Sequence, residues 1–230
     1  MKPVLEVENL SFAYNSTSPV LDGIAFTVFE RECLAIVGAN GAGKSTLLWC
    51  LLGLLKATGK VRFFGEPLCR RTLARIGVVF QNPEDQLFMP RLLDDLTLPL
   101  VNRGLPVTNA RAIALAALDG VGLHNVNNRP ASHLSLGERK RAAIGAALAG
   151  SPDLVLLDEP TAELDGRAVR QLGGLLQTLT VARVIASHDL SFLQGLAQHV
   201  LVLAGGKILA AGPSAQVLAN RSLLEQAGLL

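Results

Sequence analysis

The stretch GANGAGKST, Gly38 to Thr46, follows the apolar run CLAIVG and opens a helical pattern at Lys44. A short apolar run ended by glycine reads as a buried strand, so this segment is a strand, a glycine-rich turn and a helix in succession. Its spacing, GxxxxGK[ST], has a physical basis. Gly38, Gly41 and Gly43 let the backbone wind closely enough for its N–H groups to face phosphate oxygens, with Asn40 and Ala42 between them. Lys44 supplies a point charge to the β- and γ-phosphates. The Ser45 hydroxyl, followed by Thr46, is placed to ligate Mg²⁺. The reading implies an α/β chain that binds a nucleoside triphosphate.

Outward from that loop, apolar β-rich runs alternate with longer helical patterns, which argues for a largely parallel sheet. The expected strands are LEVENLSF, CLAIVG, RIGVVF, DLVLLD and VARVIAS. Near the end, HVLVLAGGKILAAG reads as two strands around a tight turn at Gly205-Gly206. Between Asn82 and Gly150 the strand signal gives way to Pro83, Pro90, Pro99 and Pro106, then to the helical patterns NARAIALAALDG and ERKRAAIGAALAG. The expectation is one domain over residues 1–230 with a helical subdomain inserted at roughly 82–150.

The run LVLLDEPT carries a strand through the core and delivers Asp158 and Glu159 to its C-terminal end, where ligands sit in such sheets. Asp158 is expected to hold Mg²⁺, and Glu159 to face the γ-phosphate and polarise an attacking water. Gln81, after RIGVVF, is placed to touch both Mg²⁺ and that water. His188, after VARVIAS, is placed to hydrogen-bond the γ-phosphate. Tyr14, the only tyrosine, lies beyond the first strand, where its ring can stack on a base. His124, His133 and His199 have no metal-ligand spacing and receive no role.

Composition removes other classes. The 21 basic and 19 acidic residues leave a net charge of +2, too balanced for nucleic-acid binding by electrostatics, and the 4% of aromatics offers few stacking platforms. Half the residues are hydrophobic, yet no uninterrupted apolar run reaches the roughly 18 residues of a membrane span. MKPVLEVENL alternates like a strand and lacks the apolar block of a signal peptide. Cys33, Cys50 and Cys69 show no CxxC spacing, and two lie inside apolar runs. Structural thiols in a reducing compartment are expected.

The stretch SLGERKRAA, Ser135 to Ala143, places a serine and a glycine just before a helix dense in positive charge. By itself it reads as a capped, solvated basic face or as an anion-binding helix start. With the other motifs, in this order, it resembles the signature segment of ABC transporter ATP-binding subunits, LSGGQ. Leu134, Ser135 and Gly137 conform; Leu136 replaces a glycine and Glu138 the glutamine. The resemblance covers nearly the whole chain: Tyr14, GANGAGKST, Gln81, SLGE, LVLLDEPT, AELD at Ala162 to Asp165, and His188. It implies a RecA-like P-loop core with an N-terminal antiparallel β part, and ATP and Mg²⁺ as ligands. It also implies a homodimer, or a heterodimer with another such ATPase. There Ser135, Gly137 and Glu138 meet the ATP held by the other subunit, and Asp165 lies at the seam. Leu136 is tolerable in that place if its φ is negative and its side chain points away from phosphate.

VVFQNPEDQLF, LLEQAGLL and the two substitutions in the signature are similar to one branch of that family, the cobalt, nickel and vitamin importers of the energy-coupling-factor type. The branch implies an integral membrane subunit docking near Gln81–Asp95. There Leu87 and Phe88, followed by Met89, would supply an apolar floor, and the carboxylates of Glu84, Asp85, Asp94 and Asp95 would pair with an incoming arginine; the alternative is that these residues pack inward beneath the helical subdomain. The alternatives are a soluble ABC ATPase of DNA repair or translation, or an exporter subunit. Repair ATPases of this type carry a long coiled-coil insertion and ribosomal ones two cassettes, neither of which fits in 230 residues.

Overall fold

The structure is a computed structural model that describes residues 2–15 and 18–230. In chain order the elements begin with β1 (Pro3–Phe12), β2 (Leu21–Phe29), β3 (Cys33–Val37), α1 (Lys44–Leu51), β4 (Thr58–Phe63), β5 (Glu66–Pro67) and α2 (Arg70–Leu73). They continue with β6 (Ile76–Val79), α3 (Leu92–Asn102), α4 (Val107–Gly120), α5 (Leu136–Ala149), β7 (Leu154–Asp158) and α6 (Gly166–Thr178). The last are β8 (Ala182–Ala186), α7 (Leu190–Leu193), β9 (His199–Ala204), β10 (Lys207–Pro213), α8 (Ser214–Ala219) and α9 (Arg221–Gln226). They fall into two compact units, one of residues up to Leu73 together with Thr180–Leu230, the other Ala74–Leu179.

In the first unit, β1 pairs antiparallel with both β2 and β4. β3 lies between β8 and β9 and is parallel to both, while β10 closes an antiparallel hairpin onto β9. All five residues of β3 and of β8 are buried. Parallel strands covered on both faces need such unbroken apolar runs, which is why CLAIV and ARVIA were legible as strands. The β9–β10 turn holds Gly205 and Gly206 at φ 55° and 76°, the pair of left-handed positions that a two-residue hairpin demands. β2 and β4 were not among the expected strands. β4 buries only Phe63 fully, and the β1–β2 register shifts repeatedly, so neither shows an alternating pattern.

In the second unit β6 and β7 run parallel, with Val79 opposite Leu157. The small residues of α5 set its neighbours' distance. A methyl on Gly77 of β6 would lie 2.7 Å from the Ala147 carbonyl oxygen, and one on Gly145 would lie 3.3 Å from that of Ala117 in α4. Leu100, Ala110 and Ala149 close an apolar cluster shared by α3, α4 and α5. Cys33 and Cys50 are buried as expected, whereas Cys69 is exposed. Among the described residues no helix is long and apolar enough to cross a membrane.

Candidate functional site

In the first unit the buried strand β3 runs straight into the glycine loop. A methyl on Gly38 would lie 2.4 Å from the Leu203 carbonyl oxygen, so the loop passes directly over the backbone of β9. Gly41 and Gly43 have φ of 81° and 102°, in the left-handed region, and α1 begins at Lys44. No side chain caps α1 and its first turn holds no carboxylate, which leaves a helix start suited to an anion. Lys44 is 6% exposed, and its Nζ donates to the carbonyls of Gly38 at 2.8 Å and Ala39 at 3.3 Å. The ammonium is therefore folded back along the loop it belongs to.

Two more expected residues lie at the same end of this unit. The Tyr14 ring packs edge-on against Phe12, centroids 4.9 Å apart. Its hydroxyl is 3.4 Å from Thr46 Oγ1, yet the residue is 57% exposed. The ring thus stands beside the loop while much of the residue stays exposed. His188 is exposed just past β8. Ile36 of β3 is in register with Ala186 of β8, so His188 and the loop leave adjacent parallel strands at their C-terminal ends. Asp189 after it caps α7 by accepting from Phe192 N.

In the second unit Asp158 ends the buried strand β7 and Glu159 follows it, 4% and 5% exposed. Glu159 has φ 41°, an unfavourable region for a residue with a side chain. Gln81 is exposed just beyond β6, so it leaves the parallel β6–β7 pair at the same end as Asp158. A residue that sequence reasoning passed over joins these ends. Lys140 is 2% exposed, and its Nζ donates to the carbonyl of Gln81 at 2.9 Å and that of Glu159 at 3.2 Å. Burial lowers the pKa of this ammonium, opposed by the charges of Glu163, Glu159 and Asp158. Within ERKRAA, a run dense in charge gave no sign that one lysine points inward.

The signature stretch starts α5 with a capping box. Ser135 N and Oγ both donate to Glu138 Oε2, at 2.8 and 2.7 Å, and Glu138 N donates back to Ser135 Oγ at 3.4 Å. Those bonds hold the Glu138 carboxyl below the ordinary range. Leu136 is half-buried and has no positive φ, meeting the backbone condition set for it. Ser135, Gly137, Glu138, Arg141, Asp165 and Arg167 line a groove of about 530 Å³. Asp165 caps α6 by accepting from Ala168 N at 2.7 Å.

The segment after Gln81 corrects one expectation. Leu87 is 4% exposed and Asp95 7%, so neither presents itself to an incoming partner. Asp95 Oδ1 accepts from Phe88 N at 2.9 Å and Met89 N at 3.0 Å. A carboxylate with that task shapes the turn beneath the segment. Phe88 remains 70% exposed. Glu84 is exposed but already pairs with Arg139 at 2.8 Å.

Comparison with known proteins agrees with these features. The family model described as ABC transporter matches residues 21–162. The nickel import ATP-binding protein NikO of Rhodobacter capsulatus is 40% identical, over 100% of this chain and 97% of its own length. The energy-coupling factor transporter ATP-binding protein EcfA of Carboxydothermus hydrogenoformans is also 40% identical, over 100% and 87%. Among solved structures, cbiO1 of Clostridium perfringens, part of the transporter complex cbiONQ, aligns with a TM-score of 0.86 at 32% identity, covering 100% of this chain and 96% of that one.

Proposed function

The chain belongs to the ABC transporter family, and we propose that it is the ATP-hydrolysing subunit of an importer whose cargo is nickel, cobalt or a vitamin. What carries the cargo reading is 40% identity, across the full chain, to proteins named for nickel import and energy coupling. The exposed Phe88, within the segment that follows Gln81, supports docking of a membrane subunit near Gln81–Asp95, and such docking would hold the chain peripherally on the cytoplasmic face. Two copies, or one copy and a related ATPase, would pair to hold ATP between them.

In this reading the backbone N–H groups of Gly38–Thr46 and the start of α1 bind the phosphates, and Lys44 turns its charge from the loop carbonyls onto them. Tyr14 stacks on the adenine. Ser135 and Gly137 of the paired subunit donate to the γ-phosphate, Ser135 exchanging its bond to Glu138 for one to phosphate. Glu159 accepts a proton from the attacking water as that water bonds to the γ-phosphorus and the bond from this phosphorus to the β–γ bridging oxygen breaks, leaving ADP and inorganic phosphate. His188 and Gln81 donate to the phosphate and orient the water.

Among the described residues no cluster of three or more His, Cys, Asp or Glu is poised for a metal. The proposed donors are instead one hydroxyl, one carboxamide and one carboxylate, from Ser45, Gln81 and Asp158. Few hard oxygen ligands, completed by phosphate and water, suit Mg²⁺. When bound, Mg²⁺ neutralises charge on the phosphates.

The test is to purify the membrane subunit that accompanies the chain in mild detergent and reconstitute the complex in vesicles. ATP hydrolysis should rise with one of Ni²⁺, Co²⁺ or a vitamin presented on the outside. ATP hydrolysis with no membrane protein retained would favour a soluble ATPase instead.

A further inference from the structure

We propose that Lys140 is a positioning residue for hydrolysis, a buried ammonium that fixes the main chain of Glu159 relative to that of Gln81. The inference rests on the reading of Glu159 as the residue that takes the proton from water. Three observations carry it. First, Lys140 is almost fully buried, at 2% exposure. An ammonium is withdrawn from water at such a site only where acceptors and opposite charge compensate it. Second, its two acceptors are backbone oxygens of the residues that leave the ends of β6 and β7. The hydrogen bonds therefore fix two chain segments through their main chain and not through the functional side chains.

Third, Glu159 is held at φ 41°. A non-glycine residue stays in that region only when its surroundings over-determine it. The Glu159 carbonyl takes two donors, Ala162 N at 3.1 Å and Lys140 Nζ at 3.2 Å. The first comes from its own turn and holds the local bend. The second ties that bend to α5 and Gln81. The carboxylates of Asp158, Glu159 and Glu163 supply the compensating charge. Because Lys140 lies on the helix that Ser135 opens, a shift of α5 is transmitted to the Glu159 main chain through one side chain.

Lys140→Met removes the donors at nearly constant length, and Lys140→Gln restores N–H donors without charge. Both are compared with Glu159→Gln and with the double variants, measuring kcat, KM, affinity for a fluorescent ATP analogue and thermal unfolding. Displacing a reacting group by about 1 Å can cost on the order of 10²-fold in rate. Lys140→Met should therefore lower kcat by roughly 10- to 100-fold with nucleotide affinity within about threefold of wild type. Lys140→Gln should recover much of the loss. Added to Glu159→Gln, Lys140→Met should change the residual rate by less than about threefold, because groups that act as a unit are not additive.

Equal kcat in Lys140→Met and wild type overturns the proposal. So does a loss that multiplies in full with that of Glu159→Gln, or one that tracks lowered affinity and unfolding temperature, which marks a packing role. Wild-type turnover in Glu159→Gln alone instead refutes the catalytic reading beneath it, and the single variant distinguishes the two failures.

Discussion

Replacing Gly38 by alanine tests the geometry of the phosphate loop directly. The φ of Gly38 is not positive, so alanine brings no backbone strain and the effect is purely steric. The new methyl would lie 2.4 Å from the Leu203 oxygen and 3.0 Å from Ala42 Cβ. Ordinary contact begins at 3.4 Å, so the loop must retreat by roughly 1 Å, because a strand carbonyl has no rotamer with which to yield. Overpacking of this kind costs about 1–3 kcal/mol, which lowers the unfolding temperature by roughly 2–12 °C for a chain of this size. The same displacement carries Lys44 and the loop N–H groups away from the phosphates, at a cost on the order of 10²-fold in turnover. Gly41→Ala is the control. Its methyl meets nothing within 4 Å, but φ is 81°, so only a conformational cost of about 1–2 kcal/mol applies. The assay is ATP-analogue titration with steady-state hydrolysis and thermal unfolding of both variants. Binding and turnover within threefold of wild type in Gly38→Ala would falsify the claim that β9 braces the loop.

Four further outcomes are expected. Glu159→Gln should keep ATP binding, lose about 10²–10⁴ in hydrolysis and accumulate as an ATP-bound pair on gel filtration; rapid turnover removes Glu159 as the base. Ser135→Arg should abolish hydrolysis, whereas Leu136→Gly should stay within about tenfold, and an active Ser135→Arg would mean that the signature segment never meets nucleotide. Phe88→Ala should weaken copurification of the membrane subunit at unchanged stability, while Leu87→Ala, buried, should lose about 2–5 kcal/mol of stability; reversed effects would place Phe88 inside the fold. Burial, first among its influences, raises the Asp95 pKa, so ionisation is costlier in the folded chain than in the unfolded one. That makes wild-type stability fall as pH rises from about 3.9 through the raised value. The stability gained by Asp95→Asn should therefore increase over that window in denaturant titrations, and a pH-independent difference would contradict it.

Local, contiguous chemistry was the legible part of this chain. In the proposed site Gly38–Thr46 would bind through its own backbone, so its nine residues are the whole motif, and β3, β7 and β8 announce themselves because both faces are covered. Long-range facts were less visible. TGKVRF buries a single phenylalanine and carries no periodicity for a reader to find. Asp95 and Leu87 read as surface because three consecutive apolar residues follow charged ones there, and the turn of Phe88 and Met89 onto Asp95 Oδ1 with the burial of Leu87 shows which way each faces. Lys140 was hidden by its neighbours: Arg139 pairs outward with Glu84, while the next residue reverses direction into acceptors supplied 59 and 19 positions away.

The capping box on α5 bears on how quickly two subunits can meet. Ser135 and Glu138 hold the first helical turn closed in the lone chain, so no segment has to be ordered at the moment of encounter, and the entropic penalty of folding on binding is absent. In the proposed pair what would remain is an exchange of acceptors, carboxylate for phosphate, at the Ser135 hydroxyl. Both bonds are charge-assisted, so the swap would trade one strong acceptor for another. On that reading the lone subunit is preorganised yet self-satisfied: its face would be ready for a partner, and would gain little from one that arrived without nucleotide.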